Sequence, residues 1–228
     1  MYTLLDRLGA RYYAYQVLQS LFGTPPTKAQ HDVLLATATD AAFTAVEIGR
    51  SDAIGAWSNL RSFADAHPFD ESRADEYTAC FIGPTKLKAH PWESVYTSAR
   101  HMLMQPSTLD ARRAYVARGF VSCGYPHEAD DHVAIELDFM GKMALELYDD
   151  VDAGDWQSAQ KCLADSRWFL SNHLLNWVGR YTEDLQAAGS DFFALAAVVL
   201  ASFLEADAAL LADVESFWVA NGQMAAVS

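Results

Sequence analysis

Apolar residues recur at the spacing of an α-helix over most of this 228-residue chain. In the second half, one series advances in steps of four, three, four and three, which places its members on one face of a helix: Val133, Leu137, Met140, Ala144 and Leu147. The longest apolar run, residues 192–204, is interrupted by Ser202 and predicts a buried core helix. No run alternates polar and apolar positions with the β-branched enrichment of a strand, so the pattern predicts no sheet.

Capping and turn residues mark where the helices of the first half begin and end. Thr3 and Asp6 have the spacing of a capping box at the start of a first helix, and the Gly-Thr-Pro-Pro turn at 23–26 predicts its end. Three further stretches carry helical patterns: about 27–49 as two helices, 52–66 and 70–81.

The second half is predicted to consist of longer helices, because all seven prolines lie at or before Pro126. The pair Gly154-Asp155 predicts one break, and Gly189-Ser190-Asp191 predicts a stop followed by an N-cap. The last helix is expected to run to Asn221-Gly222. Together the patterns predict an all-α fold, a single globular bundle of about ten helices that forms one domain over residues 1–228.

Composition and charge narrow the classes of function. The chain is 51% hydrophobic and contains 6 Trp, 10 Tyr and 12 Phe, which excludes a disordered protein. Its formal net charge of −14 disfavours nonspecific binding to nucleic acid or to anionic lipid, and favours a cationic partner such as an Arg-rich peptide. The three cysteines are odd in number and widely spaced and form no C-x-x-C pair, which disfavours a disulfide framework. The start lacks a basic segment followed by an apolar stretch, and the longest apolar run is too short for a membrane span. These features predict a cytoplasmic location without membrane insertion.

Two segments do not fit a simple bundle. Residues 83–96 contain two prolines and a glycine that forbid a continuous helix, and residues 125–132 concentrate titratable groups just before a long helix. His127 and His132 are five residues apart, so on a helix their rings would point about 140° apart and would not share a metal. His132 and Glu136 share a face but supply only two ligands, and phosphate-binding or nucleophile motifs are missing. The sequence therefore predicts no enzyme, no metal and no cofactor.

The two segments resemble the signatures of the TorD/DmsD family of cytoplasmic redox-enzyme maturation chaperones. The first signature corresponds to residues 76–84, EYTACFIGP, followed by 89–96, AHPWESVY. The second corresponds to 128–132, EADDH, followed by 136–140, and a weaker similarity covers 169–177. His90 and Ala129 stand where the family usually has proline. Residues that the resemblance assigns to the motif framework are Tyr77, Phe81, Gly83, Pro84 and Pro91.

The resemblance implies a TorD-like fold and binding without turnover. Such chaperones bind the twin-arginine signal peptide of a molybdenum-cofactor oxidoreductase catalytic subunit and prevent its export until the cofactor is inserted. A contact with the insertion machinery for that cofactor is left open. A receptor for two adjacent guanidiniums and an apolar stretch needs carboxylates beside an apolar groove. The residue types in the two segments agree with this requirement.

The candidate signal-peptide-binding residues are Trp92, Glu93, Ser94, Tyr96, Glu128, Asp131, His132 and Glu136. Asp131, helped by Glu128 or Glu136, is the candidate partner of the arginines. His132 would orient a carboxylate or bind peptide backbone, and Trp92 with Tyr96 would form an apolar or cation–π wall. For the same residues simpler interpretations exist: Ser94 as an N-cap, Asp131 as an N-cap, and Trp92 as packing under a loop.

Three alternatives stay open at this point. One is a nitrate-reductase-type assembly chaperone that acts on a non-exported molybdoenzyme. A second is a helical metal-dependent hydrolase with a metal at His132 and Glu136, and a third is a structural helical adaptor. The sequence names neither the client nor the oligomeric state, and residues 83–92 are a candidate hinge.

Overall fold

Helices account for the regular structure throughout the described chain. The computed structural model describes residues 2–47, 51–83, 87–122 and 128–220, with the backbone alone for 51–54. Within those ranges there are eleven α-helices, one π-helical turn (Thr78–Ile82) and no strand, which confirms the predicted all-α bundle of about ten helices. The α-helices are α1 (Leu4–Gly23), α2 (Lys28–Leu35), α3 (Thr37–Val46), α4 (Ser51–Ala66), α5 (Ser72–Tyr77), α6 (Glu93–Thr97), α7 (Pro106–Ala117), α8 (Val133–Ala153), α9 (Trp156–Asn172), α10 (Leu174–Gln186) and α11 (Asp191–Ala220).

Local sequence signals explain most helix ends. Thr3 and Asp6 form the predicted capping box of α1, since each side chain accepts a hydrogen bond from the other residue's backbone N–H. Gly154 ends α8 in the left-handed conformation, with φ of 71°, and Asp155 then caps α9. The Ser190 hydroxyl accepts from the Phe193 N–H at the start of α11, as predicted, whereas Asn221-Gly222 lies outside the described residues.

The core forms where α1 packs along α8, and where α11 packs against α4 and α10. The predicted apolar stripe of α8 is buried along its length, including Leu137, Met140 and Leu147. A buried polar network lies within this apolar core. Arg11 donates a hydrogen bond to Asp207, 2.6 Å away, and the Tyr15 hydroxyl donates to the other Asp207 oxygen, also at 2.6 Å. This ion pair therefore ties α1 to α11 without contact with solvent.

Helix α11 is longer than the apolar run that predicted it. It spans 30 residues, and by length and composition alone it would be able to cross a membrane, with a mean hydropathy of 1.9 over its most apolar window. Within the fold, 56% of that window is buried, and Phe193, Leu200 and Phe203 have no exposed surface. The burial agrees with the predicted core helix.

The first part of the first signature packs against α11. Tyr77 ends α5 and Phe81 lies in the π-helical turn, and both rings are buried against Phe193. Gly83 then has φ of 96°, a conformation that favours glycine, while Pro84 lies outside the described residues. The single-domain organisation and the hinge at 83–92 stay predictions.

Candidate functional site

The two sequence signatures meet through their backbones. The Glu93 N–H donates to the Asp131 carbonyl at 3.0 Å, and the Val133 N–H donates to the Pro91 carbonyl at 2.8 Å. These bonds flank an isolated antiparallel bridge between Trp92 and His132. Segments about 40 residues apart in sequence are thereby fixed side by side.

Asp131 connects the second signature to helix α6. Its Oδ2 accepts a hydrogen bond from the Ser94 N–H at 2.7 Å, so it satisfies one of the backbone donors at the start of that helix. The local N-cap residue of α6, Trp92, has no capping side chain. Ser94 itself lies inside α6 and its hydroxyl has no hydrogen-bond partner among the described residues, so the interpretation of Ser94 as an N-cap is wrong.

A groove of about 320 Å³ opens where the signatures meet. Helix α1 and the first turns of α8 form two of its walls, and the Trp92 and Phe81 segments form the others. Its lining residues are Gln19, Gly23, Tyr77, Phe81, Ile82, Trp92, Ser122, Glu128, His132, Ala134, Ile135 and Asp138.

Trp92, Glu128 and His132 form the polar side of this groove. The Trp92 Nε1–H donates to Glu128 Oε1 at 2.8 Å, and the Trp92 ring meets the His132 ring edge to face, with 5.7 Å between centroids. Burial lowers the pKa of His132 against the opposing effect of the Glu128 and Asp131 carboxylates. A neutral ring agrees with its role as the α8 N-cap, because Nδ1 accepts a hydrogen bond from the Ala134 N–H.

The carboxylates of Glu128 and Asp138 are the acidic groups that line the groove. The Asp138 side chain is 41% exposed and pairs with Lys142, at 2.7 Å, on the next turn of α8. Such an exposed pair is weak and easily exchanged for another cation. The groove therefore offers two accessible carboxylates beside the apolar surfaces of Trp92, Ile82 and Ile135.

Glu93, Glu136 and Asp131 lie behind the groove, with at most 2% of each residue exposed. Glu93 accepts a hydrogen bond from His173 Nδ1 at 2.7 Å, and Glu136 accepts one from Trp177 Nε1 at 3.1 Å. Burial, followed by the charges of Glu93 and Asp131, raises the pKa of Glu136 well above its ordinary value.

Tyr96 was expected to form part of the groove wall, but it does not line the groove. Its ring stacks on Trp177 with centroids 5.5 Å apart, and its hydroxyl donates to Asp184 and accepts from the His90 N–H. Tyr96 thus holds the loop at His90 from behind. Pro91 acts in the same way, since its carbonyl accepts the hydrogen bond from Val133.

Some lining residues were absent from the sequence-based candidates. Asp138 and Ile135 are three residues apart on α8, and Gln19 and Gly23 are four apart on α1, so each pair shares a helix face. The sequence spacing shows that each pair shares a helix face, but it does not show which helix face meets the Trp92 segment. His173, within the segment 169–177 of weaker similarity, is buried against Glu93.

Comparison with known proteins identifies the family of this chain. A family profile described as "Nitrate reductase delta subunit" matches residues 50–183, more than half of the chain and both signatures. The chain belongs to this family. It is 26% identical over 139 residues to the chaperone protein TorD of Photobacterium profundum, and 25% identical over 138 residues to that of Aliivibrio fischeri.

A third relative, the chaperone protein TorD of Vibrio cholerae serotype O1 (El Tor Inaba), is 27% identical over 135 residues. The matches cover 60%, 60% and 59% of this chain. They span 63%, 63% and 60% of the length of the three relatives. The resemblance to the TorD family, drawn from the two signatures, is confirmed.

Proposed function

We propose that this protein is a cytoplasmic redox-enzyme maturation chaperone. In this proposal it binds the twin-arginine signal peptide of a molybdenum-cofactor oxidoreductase catalytic subunit and prevents export until the cofactor is inserted. It performs no catalytic turnover. The observation that carries the proposal is the groove itself, which both signatures build and which places accessible carboxylates beside an apolar wall.

The two arginines are assigned to Glu128 and Asp138. Both carboxylates border the groove, and a carboxylate binds a guanidinium through paired, charge-assisted hydrogen bonds. Arginine would compete with Lys142 for Asp138. It would compete with the Trp92 indole for one oxygen of Glu128.

The apolar stretch of the peptide is assigned to the apolar part of the groove lining. Ile82 is 63% exposed there, beside Phe81 and the half-buried Ile135. The half-buried Trp92 ring lines the same groove and is hydrogen-bonded to Glu128, so it can pack on a guanidinium as well as on an apolar side chain. Asp131, Glu93, Ser94, Tyr96 and Glu136 then act as positioning residues that hold the Trp92 segment in place.

Long-range charge favours the same peptide. The net charge of −14 attracts a cationic segment from solution and accelerates its encounter with the groove. Because that attraction is screened by ions, the affinity is expected to fall as salt concentration rises.

A second candidate is a nitrate-reductase-type assembly chaperone that acts on a molybdoenzyme that is not exported. The description of the matching family profile favours it. The two candidates differ in the part played by the arginines: a client without the twin-arginine pair would bind without them.

Calorimetric titration of the full chain with a synthetic twin-arginine signal peptide tests the proposal. We expect a Kd of about 1 μM or below. We also expect a loss of about tenfold with a Lys-Lys peptide, with Glu128→Gln and with Asp138→Asn, because bidentate pairing is lost. Asp32→Asn, which changes an exposed carboxylate on α2 outside the groove, is the matched control.

Equal binding of Arg-Arg and Lys-Lys peptides would favour the second candidate. If the folded protein bound no twin-arginine peptide at all, the signal-peptide proposal would be wrong. If affinity fell with Asp32→Asn as much as with Glu128→Gln, net charge rather than the groove would explain the binding.

A further inference from the structure

A cluster of ligand-type side chains lies behind the groove. Glu93 from α6, Glu136 from α8 and His173 from the α9–α10 junction each offer one ligand atom, and these atoms lie within 4.8 Å of one another. All three residues are buried, with exposed fractions of 2%, 0% and 3%. Three separate segments of the chain thus converge on one point.

The negative charge of this cluster has little compensation among the described residues. Within those ranges, neither Glu93 nor Glu136 forms a salt bridge with lysine or arginine, and the basic group that Glu93 contacts is the His173 ring. Asp131 adds a third buried carboxylate to the same region, because its charge, like that of Glu93, acts on Glu136. Buried carboxylates need protons, cations or metal ions as compensation.

Several polar atoms of the cluster have unused bonding capacity. Glu136 Oε1, His173 Nε2 and Asp131 Oδ1 have no hydrogen-bond partner among the described residues, although all are buried. A buried polar atom without a partner costs roughly 1–3 kcal/mol, so its presence in a folded protein calls for an explanation. A proton shared with the Glu93 carboxyl would supply one for Glu136, and so would a bound cation.

We propose that Glu93, Glu136 and His173 bind one divalent metal ion of the Zn²⁺ type. One imidazole nitrogen and two carboxylate oxygens form a ligand set that suits Zn²⁺. Around a tetrahedral ion with bonds of about 2.0–2.1 Å, ligand atoms are about 3.4 Å apart. The cluster reaches this geometry when the Glu93–His173 pair, now 2.7 Å apart, opens by about 0.7 Å and Glu136 closes in.

Metal binding is expected to be coupled to folding. Because the ligands have almost no exposed surface, the ion is expected to enter as the chain folds. Once bound, the ion links α6, α8 and the α9–α10 junction and so stabilises the buried residues that lie behind Trp92.

Metal retention by the full chain tests this inference, and the test does not depend on peptide binding. Chelator-treated protein is unfolded, refolded with one equivalent of Zn²⁺ or Co²⁺, dialysed and analysed for metal content. We expect about one ion per chain and a visible Co²⁺ absorption band of tetrahedral intensity. Glu93→Gln and Glu136→Gln should each lower the metal affinity by about tenfold or more, since even outer residues of metal sites contribute that much.

Two controls keep the result interpretable. Glutamine preserves the size of each glutamate and keeps one acceptor oxygen, so circular dichroism should show that both variants fold. His67→Gln removes an imidazole outside the cluster and should leave metal retention unchanged. Less than about one tenth of an ion per wild-type chain, or equal retention by wild type and both glutamine variants, would overturn the proposal.

Discussion

The carboxylate of Asp131 accepts a hydrogen bond from the backbone N–H of Ser94 at 2.7 Å, across 37 residues of sequence. Helix α6 has five residues and no side-chain cap of its own, so this distant carboxylate serves in place of a local N-cap. The orientation of α6, and with it that of Trp92, therefore depends on the loop that carries Asp131.

Replacing Asp131 by alanine should destabilise the protein by about 1–2 kcal/mol, because α6 loses its cap. Asp131→Asn keeps an acceptor oxygen and should recover most of that loss. Urea unfolding of the three proteins measures both effects. If Asp131 instead paired directly with a peptide arginine, Asp131→Asn would lower peptide affinity about tenfold while stability stayed near wild type.

The Trp92–Glu128 hydrogen bond should appear as an energetic coupling. Trp92→Phe removes the indole N–H, and Glu128→Ala removes the carboxylate oxygen that accepts its hydrogen bond. A double-mutant cycle on unfolding free energy should give a coupling of about 0.5–1.5 kcal/mol, the usual range for one hydrogen bond. Pairing Trp92→Phe with the remote Asp32→Asn should give additive effects. Additivity in the first cycle would mean that the contact contributes nothing to stability.

The pH dependence of stability should reveal the buried Glu47. Burial raises the pKa of Glu47 to about 7, from 4.5 in the unfolded chain. The folded state therefore binds this proton more tightly. The resulting stabilisation is complete below pH 4.5 and is lost as the pH rises through 7, a loss of about 3 kcal/mol.

Glu47→Gln removes this titration. Urea unfolding at pH 5 and pH 8 should show a smaller fall in stability for Glu47→Gln than for wild type. Glu183→Gln, at an exposed site on α10, should reproduce the wild-type difference. A Glu47→Gln protein with the full wild-type difference would show that other groups cause the pH dependence.

Breaking the buried ion pair of Arg11 and Asp207 should strongly lower the stability of the protein. Asp207→Asn leaves the Arg11 charge buried without a counter-ion, which costs about 3–5 kcal/mol. For a chain of this size, the melting temperature should fall by about 10 °C. Asp213→Asn, on the same helix but exposed, should change it by less than about 2 °C. Equal effects of the two substitutions in calorimetry would contradict this account.

Local signals made much of the fold predictable. The capping box at Thr3, the glycine at 154 and the N-cap at Asp155 each act on atoms a few residues away, so their effect is visible in the sequence. The break between α9 and α10 at His173 was harder to place, because neither Gly nor Pro marks it.

The candidate site was predictable in part. Of the candidates that the resemblance named, Trp92, Glu128 and His132 line the groove, whereas Glu93, Glu136 and Tyr96 lie behind it. The spacing of Glu136 and His132 shows that they share one side of α8, but it does not show what covers that side. In the structure α10 covers Glu136 with Trp177, and α6 covers it with Glu93.

By itself the sequence determined the all-α class, most helix boundaries, the buried stripe of α8 and the family signatures, because these depend on periodicity and on contacts within a few residues. Only the tertiary structure decided which carboxylates face solvent and which are buried. Asp138 borders the groove, while Asp131 turns inward to cap α6. That difference arises from how distant segments pack over one another, and burial then sets whether a carboxylate binds a partner in solution or stabilises the fold.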